Sequence, residues 1–450
     1  MFPLTNRLNN RYFRRIGFLI LMIFGLNTSS LNAQNYTSYF TGDTTDVVTN
    51  PTGGVCLMGG ATEDDNAMRW FLERADGGDI LVLRASGSNG YNAYFYSQLG
   101  VTVNSVESIV CNNPNASAEA YLHERIQKAE AIWFAGGDQW NYVSFWRNTA
   151  VDSLINQAIS QRHIVIGGTS AGMAILGKYY FSALNGTVTS ATAMGNPYAP
   201  AVAVDSMPFL KNRFLEDVIT DTHYDYYDRR GRQVTFLARI RTDWGVAAKG
   251  IACDEYTAVC VDTNGLARVF GEYPTSDDNA YFLQVNCEIP NNQPEVCLPN
   301  VPLQWDQNSL ATKTYVIKGT ANGANTFDLT DWKTGSGGSW EAWSVYNNSL
   351  FASPTTEISC GPVAIAASGA STQFEIWPNP NDGKALFFQA ASDEFSSMEF
   401  INTFGQLILE RELRGNTAVH EISLPNLAAG IYWIKLQGAN AVVTQELIVK

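Results

Sequence analysis

The sequence predicts an α/β fold, a mostly parallel sheet with flanking helices, followed by a small C-terminal β-sandwich. Two patterns carry this expectation. From about Gly53 onward, short apolar runs alternate with longer amphipathic stretches, as strands alternate with crossover helices, and several of those runs end in paired glycines. From Phe374 onward, short alternating segments recur with no helical stretch between them, the pattern of a compact sandwich.

The elements follow in chain order. Arg11, Arg14 and Arg15 precede an apolar stretch from Ile16 to Leu26 and the small-residue site Leu31-Asn32-Ala33, which reads as a signal peptide over residues 1–33. The apolar run is shorter than the roughly 20 residues that span a bilayer. A catalytic domain is expected over 40–350. Its first strand is Gly54 to Met58, ending in Gly59-Gly60. A second, Ile80 to Ala85, runs into the turn-rich Ser86-Gly87-Ser88-Asn89-Gly90. A third, Ala131 to Phe134, leads to Gly136-Gly137-Asp138-Gln139, and a fourth, His163 to Ile166, leads to Gly167-Gly168. Loops of this kind after buried parallel strands put a site at the carboxyl edge of the sheet.

Beyond Ile219 the pattern loosens. Gln233 to Arg239 suggests a helix start, Gly250 to Val261 two strands around a turn, Ala267 to Phe270 another strand, and Val301 to Trp343 further strand-like runs. A linker is expected over 351–373, where Gly361 to Ser371 is small and polar. The module at 374–450 then holds segments such as Ser397 to Ile401, Gly430 to Leu436 and Thr444 to Val449.

A formal charge of -14 argues against nucleic acid or anionic lipid as partners. Export permits disulfides, and of the seven cysteines Cys287 and Cys297 bracket a Pro- and Asn-rich loop that a bridge would staple. With four histidines and no CxxC spacing, neither a metal site nor a cofactor is expected.

The chemistry centres on Gly168-Thr169-Ser170-Ala171-Gly172. A serine hydroxyl needs exposure, a nearby base and backbone donors for an oxyanion. A sharp strand-to-helix turn relieved by flanking glycines supplies the first and third of these, with Ala171 and Gly137 as the candidate donors. Of the histidines, His163 precedes the strand, His420 lies in the C-terminal module and His123 reads as solvated, which leaves His223 as base. Asp205, Asp221, Asp254 and Glu255 are all open as the orienting carboxylate.

The ordered set Gly136-Gly137-Asp138-Gln139, Gly168-Thr169-Ser170-Ala171-Gly172, Asp221-Thr222-His223-Tyr224 with Arg229, Gly231 and Arg232, and Gly250 to Ala258 resembles the cyanophycinases of the S51 serine peptidases. The resemblance covers about Gly53 to Gly271. It implies a fold like that of class I glutamine amidotransferases and hydrolysis of β-aspartyl-arginine units, with Ser170, His223 and Glu255 as the triad. It further implies that Gln139 and Asp221 line the site and that Arg229 and Arg232 hold substrate carboxylates in paired hydrogen bonds. Tyr227 stands where the family usually has a further arginine, a departure that bears on substrate, and Tyr224 stands where phenylalanine is usual.

The C-terminal module, in Trp377-Pro378-Asn379-Pro380, Gly405-Gln406, Leu424 to Leu427, Gly430-Ile431-Tyr432 and its closing strand, resembles the sorting domain of the type IX secretion system. That likeness implies the secretion machinery as a partner and a secreted or cell-surface location in a Gram-negative bacterium. The expected function is a secreted cyanophycinase-like serine peptidase acting on cyanophycin or a similar peptide. A related peptidase for other aspartyl or isoaspartyl peptides, and a catalytically silent surface-binding protein, are the alternatives. A homodimer is left open.

Overall fold

The structure, a computed structural model, describes residues 34–206, 209–226, 228–359, 374–390, 395–402, 407–413, 420–438 and 442–450. The expected leader at 1–33, the linker stretch Gly361 to Ser371, Tyr227 and Gly405-Gln406 lie outside those residues.

Strands β1 (Tyr36–Gly42), β2 (Gly54–Met58), β3 (Asp79–Arg84), β4 (Ser105–Cys111), β5 (Ala131–Phe134) and β6 (Val165–Thr169) run in the spatial order β1-β4-β3-β5-β6-β2. The five from β4 to β2 are parallel, and β1 is antiparallel at the edge. Helices α1 (Asp65–Glu73), α2 (Ala120–Lys128), α3 (Gln139–Trp146) and α4 (Ala150–Arg162) lie between these strands in the chain. Successive side chains of β2 alternate between two cores, Val55 and Leu57 toward Ile132, Trp146 and Ile155, and Cys56 and Met58 toward Phe71, Phe95 and Trp133. Both faces are therefore covered, which is why these strands read as unbroken apolar runs. Side-chain caps start the helices cleanly: Asp64 accepts from the N–H groups of Asn66 and Ala67, Asp138 from Trp140, and Thr149 from Val151.

Strands β1 and β4 are additions to the expected set. β4 carries Glu107 in its middle, which interrupts the apolar pattern. The carboxylate stays fully buried because Arg125 Nε lies 2.5 Å away and the hydroxyls of Ser38 and Tyr121 donate to it. β1 sits at the edge with its residues half-buried, so it has little apolar signature.

After the short helix α5 (Ala171–Ala174) come β7 (Val218–Asp221), helix α6 (Arg230–Trp244), β8 (Lys249–Cys253), β9 (Ala258–Val261), β10 (Leu266–Tyr273), β11 (Asn279–Val285), β12 (Thr312–Lys318), β13 (Asn325–Asp328), β14 (Gly335–Ser336), β15 (Gly338–Tyr346) and β16 (Ser349–Pro354). β9, β10, β13 and β14 continue the first sheet antiparallel from β2 and bring it to ten strands. The others form a six-stranded sheet, β16-β15-β12-β11-β8-β7. The two strands expected in Gly250 to Val261 thus do not pair with each other: β8 joins the second sheet and β9 the first.

The expected boundary at residue 350 falls inside a hairpin. β16 pairs with β15 through Pro354, the Thr355 N–H donates to Trp340 O, and Ile358 is buried. The expected Cys287–Cys297 staple does not form. Cys297 is a free buried thiol, whereas Cys287 is disulfide-bonded. Among the described residues no helix is long and apolar enough to cross a membrane.

The C-terminal module has strands β17 (Phe374–Trp377), β18 (Ala385–Ala390), β19 (Phe395–Asn402), β20 (Leu407–Glu412), β21 (His420–Ser423), β22 (Gly430–Gly438) and β23 (Val442–Val449). They form two antiparallel sheets, β17-β18-β21 and β20-β19-β22-β23. Leu386 and Phe388 from one sheet and Met398, Phe400, Ile434 and Leu436 from the other share one buried core. That is the sandwich the alternating segments predict.

Candidate active site

β6 ends at Thr169 and α5 begins at Ala171, so Ser170 stands alone at the turn with φ 51° and ψ −115°. A non-glycine residue rarely adopts this conformation, and it persists only where the surroundings hold it. Here the Ser170 N–H donates to Met58 O at 3.1 Å and its carbonyl accepts from Ala174 N at 2.9 Å. The flanking glycines are needed for close approach: a Cβ on Gly172 would overlap the Phe134 carbonyl, and one on Gly168 would overlap the Gly172 backbone. The serine is left half-exposed at the carboxyl end of the sheet.

The second sheet supplies the partners. β7 and β8 are parallel neighbours joined by α6, so the residues that follow them emerge at the same end. His223 follows β7 and Glu255 follows β8. The loop after β2 ties both to the first sheet, with Gly59 O accepting from His223 N at 2.8 Å and Gly60 O from Tyr256 N at 3.1 Å. Gly60 has φ 124°, and a Cβ there would run into the His223 imidazole. Glycine is required at that position on both counts.

His223 Nδ1 lies 2.6 Å from Glu255 Oε1, and His223 Nε2 lies 2.7 Å from Ser170 Oγ. With a neutral imidazole and an ionised carboxylate, only one tautomer satisfies both contacts: Nδ1–H donates to Glu255, and Nε2 accepts from the serine hydroxyl. The other three carboxylates are engaged elsewhere. Asp205 pairs with Arg147 at 2.5 Å. Asp221 is buried against Arg232. Asp254 Oδ2 accepts from Asn279 N and Nδ2 at 3.0 and 2.9 Å, and burial pushes its pKa up to about 7. His163 ends α4 at the amino end of β6, the far end of the strand from Ser170. His123 is half-buried with Nε2 2.7 Å from Ser117 O, which corrects its reading as solvated.

Ser170 and His223 open on a cavity of about 420 Å³ whose walls also include Gly137, Ala171, Gln139, Arg229 and Arg232. Trp140, Phe181 and Leu184 give it an apolar side. Gln139 Nε2 donates to Phe181 O at 3.3 Å, and Arg229 Nη1 to Thr222 O at 2.9 Å. Burial and the neighbouring Arg232 guanidinium hold the Arg229 pKa below its usual value.

Asp221 is not among the lining residues. Its carboxylate accepts from Arg232 Nε at 2.9 Å and from Arg232 Nη2, while Arg232 Nη1 donates to Val188 O at 3.2 Å. The expectation that Asp221 faces the substrate is corrected on this point, because its oxygens hold Arg232. For the same reason the forked face of Arg232 is already occupied by a carboxylate of the protein.

Two features of the site fell outside the sequence reading. The Gly59-Gly60 pair was visible, but its contact with the histidine was not. Asp225, an exposed turn residue just past the Asp221-Thr222-His223-Tyr224 run and not singled out with it, accepts the Glu255 N–H at 2.9 Å. Among the described residues no group of three or more His, Cys, Asp or Glu side chains is arranged to hold a metal ion.

Comparison with known proteins finds the following likenesses. Residues 84–262 match the family model for Peptidase family S51, and residues 375–450 match that for the secretion system C-terminal sorting domain. A cyanophycinase of Synechococcus elongatus is 24% identical over 227 residues, 49% of this chain and 66% of that protein. One from Geminocystis herdmanii is 25% identical over 141 residues, 30% of this chain and 48% of that protein. A crystal structure of a peptidase from an acI-B1 Actinobacterium aligns with a TM-score of 0.40 and 13% identity, covering 62% of this chain and 98% of that one. The chain thus spans just under two thirds of the length of the Synechococcus relative. Its residues 84–262 are similar to Peptidase family S51, and its residues 375–450 to the secretion system C-terminal sorting domain.

Proposed function

We propose that this chain is an exported serine peptidase of the cyanophycinase type, with Ser170 as nucleophile, His223 as general base and Glu255 as the carboxylate that orients the imidazole. The observation that carries the reading is the single imidazole bridging Ser170 Oγ at 2.7 Å and Glu255 Oε1 at 2.6 Å beside an open cavity. Ser170 attacks the amide carbonyl as His223 Nε2 takes its proton, and Glu255 stabilises the imidazolium that forms. The backbone N–H groups of Ala171 and Gly137 receive the oxyanion. His223 then returns the proton to the leaving amine, and a water molecule, activated by the same base, releases the acyl group.

The substrate class follows from the walls. A cavity of about 420 Å³ holds a short peptide segment rather than a folded chain. Arg229, with Arg232 and Gln139 beside it, favours an acidic group, and the curated relatives are cyanophycinases, so β-aspartyl-arginine units are the first substrate to try. The engagement of Arg232 by Asp221, together with Tyr227 in place of an arginine, favours a second reading: a peptidase for other aspartyl or isoaspartyl peptides that need fewer carboxylate contacts. The sorting domain and the leader-like residues 1–33 support export by the type IX system to the cell surface or beyond.

The test is release of β-Asp-Arg dipeptide from cyanophycin by the full chain, run beside Ser170→Ala and beside α-Asp and isoAsp dipeptides. Release that the variant loses supports the first reading. Cleavage of the other dipeptides alone selects the second, and no cleavage together with no fluorophosphonate labelling of Ser170 leaves a silent binding protein.

A further inference from the structure

The turn that carries Glu255 is held from two directions. On its inner side Asp254 is buried and exchanges backbone and side-chain hydrogen bonds with Asn279: Asp254 N donates to Asn279 O at 3.0 Å, and Asp254 Oδ2 accepts from Asn279 N and Nδ2. Those bonds fix the turn to β11, a strand that does not carry the histidine. They set Glu255 relative to the second sheet, and Tyr224 N, donating to Cys253 O at 3.1 Å, joins the end of β8 to the His223 loop.

Asp225 adds a bond from the His223 loop to the backbone of Glu255 itself. It lies two residues beyond His223, in a loop closed by Tyr226 N donating to His223 O at 3.2 Å and Arg229 N to Tyr224 O at 2.9 Å. From that loop its Oδ1 accepts the backbone N–H of Glu255 at 2.9 Å. We propose that Asp225 is a positioning residue that locks the Glu255 turn to the His223 loop, so that carboxylate and imidazole keep their spacing through the proton transfers. The inference rests on the triad reading given above. Among the described residues Asp225 makes no hydrogen bond to the serine or to the imidazole nitrogens, and it acts through Glu255.

The position suits this task. A charged acceptor on a backbone N–H is among the stronger hydrogen bonds, and Asp225 is exposed, so removing it opens no cavity. A displacement of the acid by about 1 Å is enough to cost a large part of the rate.

The experiment compares Asp225→Ala and Asp225→Asn in the full chain, with Ser170→Ala as reference, using fluorophosphonate labelling and whichever aspartyl peptide the wild type cleaves. Asp225→Ala is expected to lose about 10- to 100-fold in kcat and in labelling rate, with KM within about twofold and an unchanged melting temperature. Asp225→Asn keeps an acceptor oxygen and is expected to recover most of the rate. A wild-type kcat in Asp225→Ala overturns the proposal. Equal loss in both variants does so as well, because it makes charge rather than the hydrogen bond responsible. If Ser170→Ala labels and turns over like the wild type, the triad reading itself fails, a result independent of either Asp225 variant.

Discussion

His223 and Glu255 stand 32 residues apart in the chain, yet their side chains meet at 2.6 Å because each follows one of two adjacent parallel strands of the same sheet. A crossover helix between parallel strands returns the chain to the same edge, so acid and base need only sit one or two residues past the strand ends.

This contact makes Glu255 the member of the four carboxylates whose loss should matter most to rate. Glu255→Gln is expected to reduce kcat by about 10²- to 10⁴-fold with little change in KM, since it disturbs the tautomer and removes charge from behind the imidazole. Asp205→Asn should leave kcat within about threefold, because its partner is Arg147. Steady-state kinetics on the cleaved peptide decide it. Equal losses in both variants would remove Glu255 from its role.

Gly60 is expected to be as sensitive as a catalytic side chain. A methyl group there meets the His223 ring on a backbone at φ 124°. Gly60→Ala should cost about 10²-fold in kcat by moving the imidazole. Near-wild-type fluorophosphonate labelling in this variant would mean the histidine has room to retreat.

Arg229 and Arg232 line the same cavity but should respond differently. Arg232→Met strands the buried Asp221 carboxylate and is expected to lower unfolding stability by about 3 to 5 kcal/mol. Arg229→Met should change stability by no more than about 1 kcal/mol and raise KM at least about tenfold. Urea unfolding with parallel KM measurements separates the two, and equal destabilisation would place Arg229 in the framework with Arg232.

Asp254 and Glu130 each have burial as the main cause of a pKa raised to about 7. Their folded pKa exceeds the unfolded carboxylate value near ~4, so the folded state binds these protons more tightly. The stability they contribute is fully present below about pH 4 and is lost as pH rises through 7. Asp254→Asn should therefore gain on the wild type in melting temperature from pH 5 to pH 8, by an amount that grows with pH. A difference that is constant or shrinks would contradict the raised value.

Tyr224 shows what one hydroxyl can cost. The ring is buried 4.7 Å from Tyr281, and its hydroxyl has no hydrogen-bond partner among the described residues. Tyr224→Phe is expected to raise stability by about 1 kcal/mol and leave kcat unchanged, as read by thermal melting and turnover.

The parallel half of the fold was legible because its strands are buried on both faces and end in glycines, as in Gly54 to Met58 and Ala131 to Phe134. Ser170 and His223 were legible for a related reason: one stands in a glycine-flanked turn, and the other survives the exclusion of three histidines. What escaped notice depended on pairing across the chain. Glu107 breaks its strand's apolar pattern, and the approach of Arg125, Ser38 and Tyr121 from elsewhere in the chain explains how it is buried. Asp221 was expected to line the pocket by the family resemblance, but its buried carboxylate is turned toward Arg232. Asp225 carries no local signature, since its partner is a backbone N–H 30 residues further on. The split of β8 and β9 between sheets is likewise invisible in a segment that reads as a plain hairpin.

On the proposed assignment the nucleophile extends from one sheet and its base and acid from the other, so neither half of the molecule alone would hold a competent serine. The loop after β2 stitches them through the Gly59 and Gly60 carbonyls. A chain that has folded only its first sheet, or that emerges piecemeal from a ribosome or a translocon, presents Ser170 without a base. Under that proposal activity is a late product of folding, and the chain would be inert toward its neighbours until the two sheets have docked.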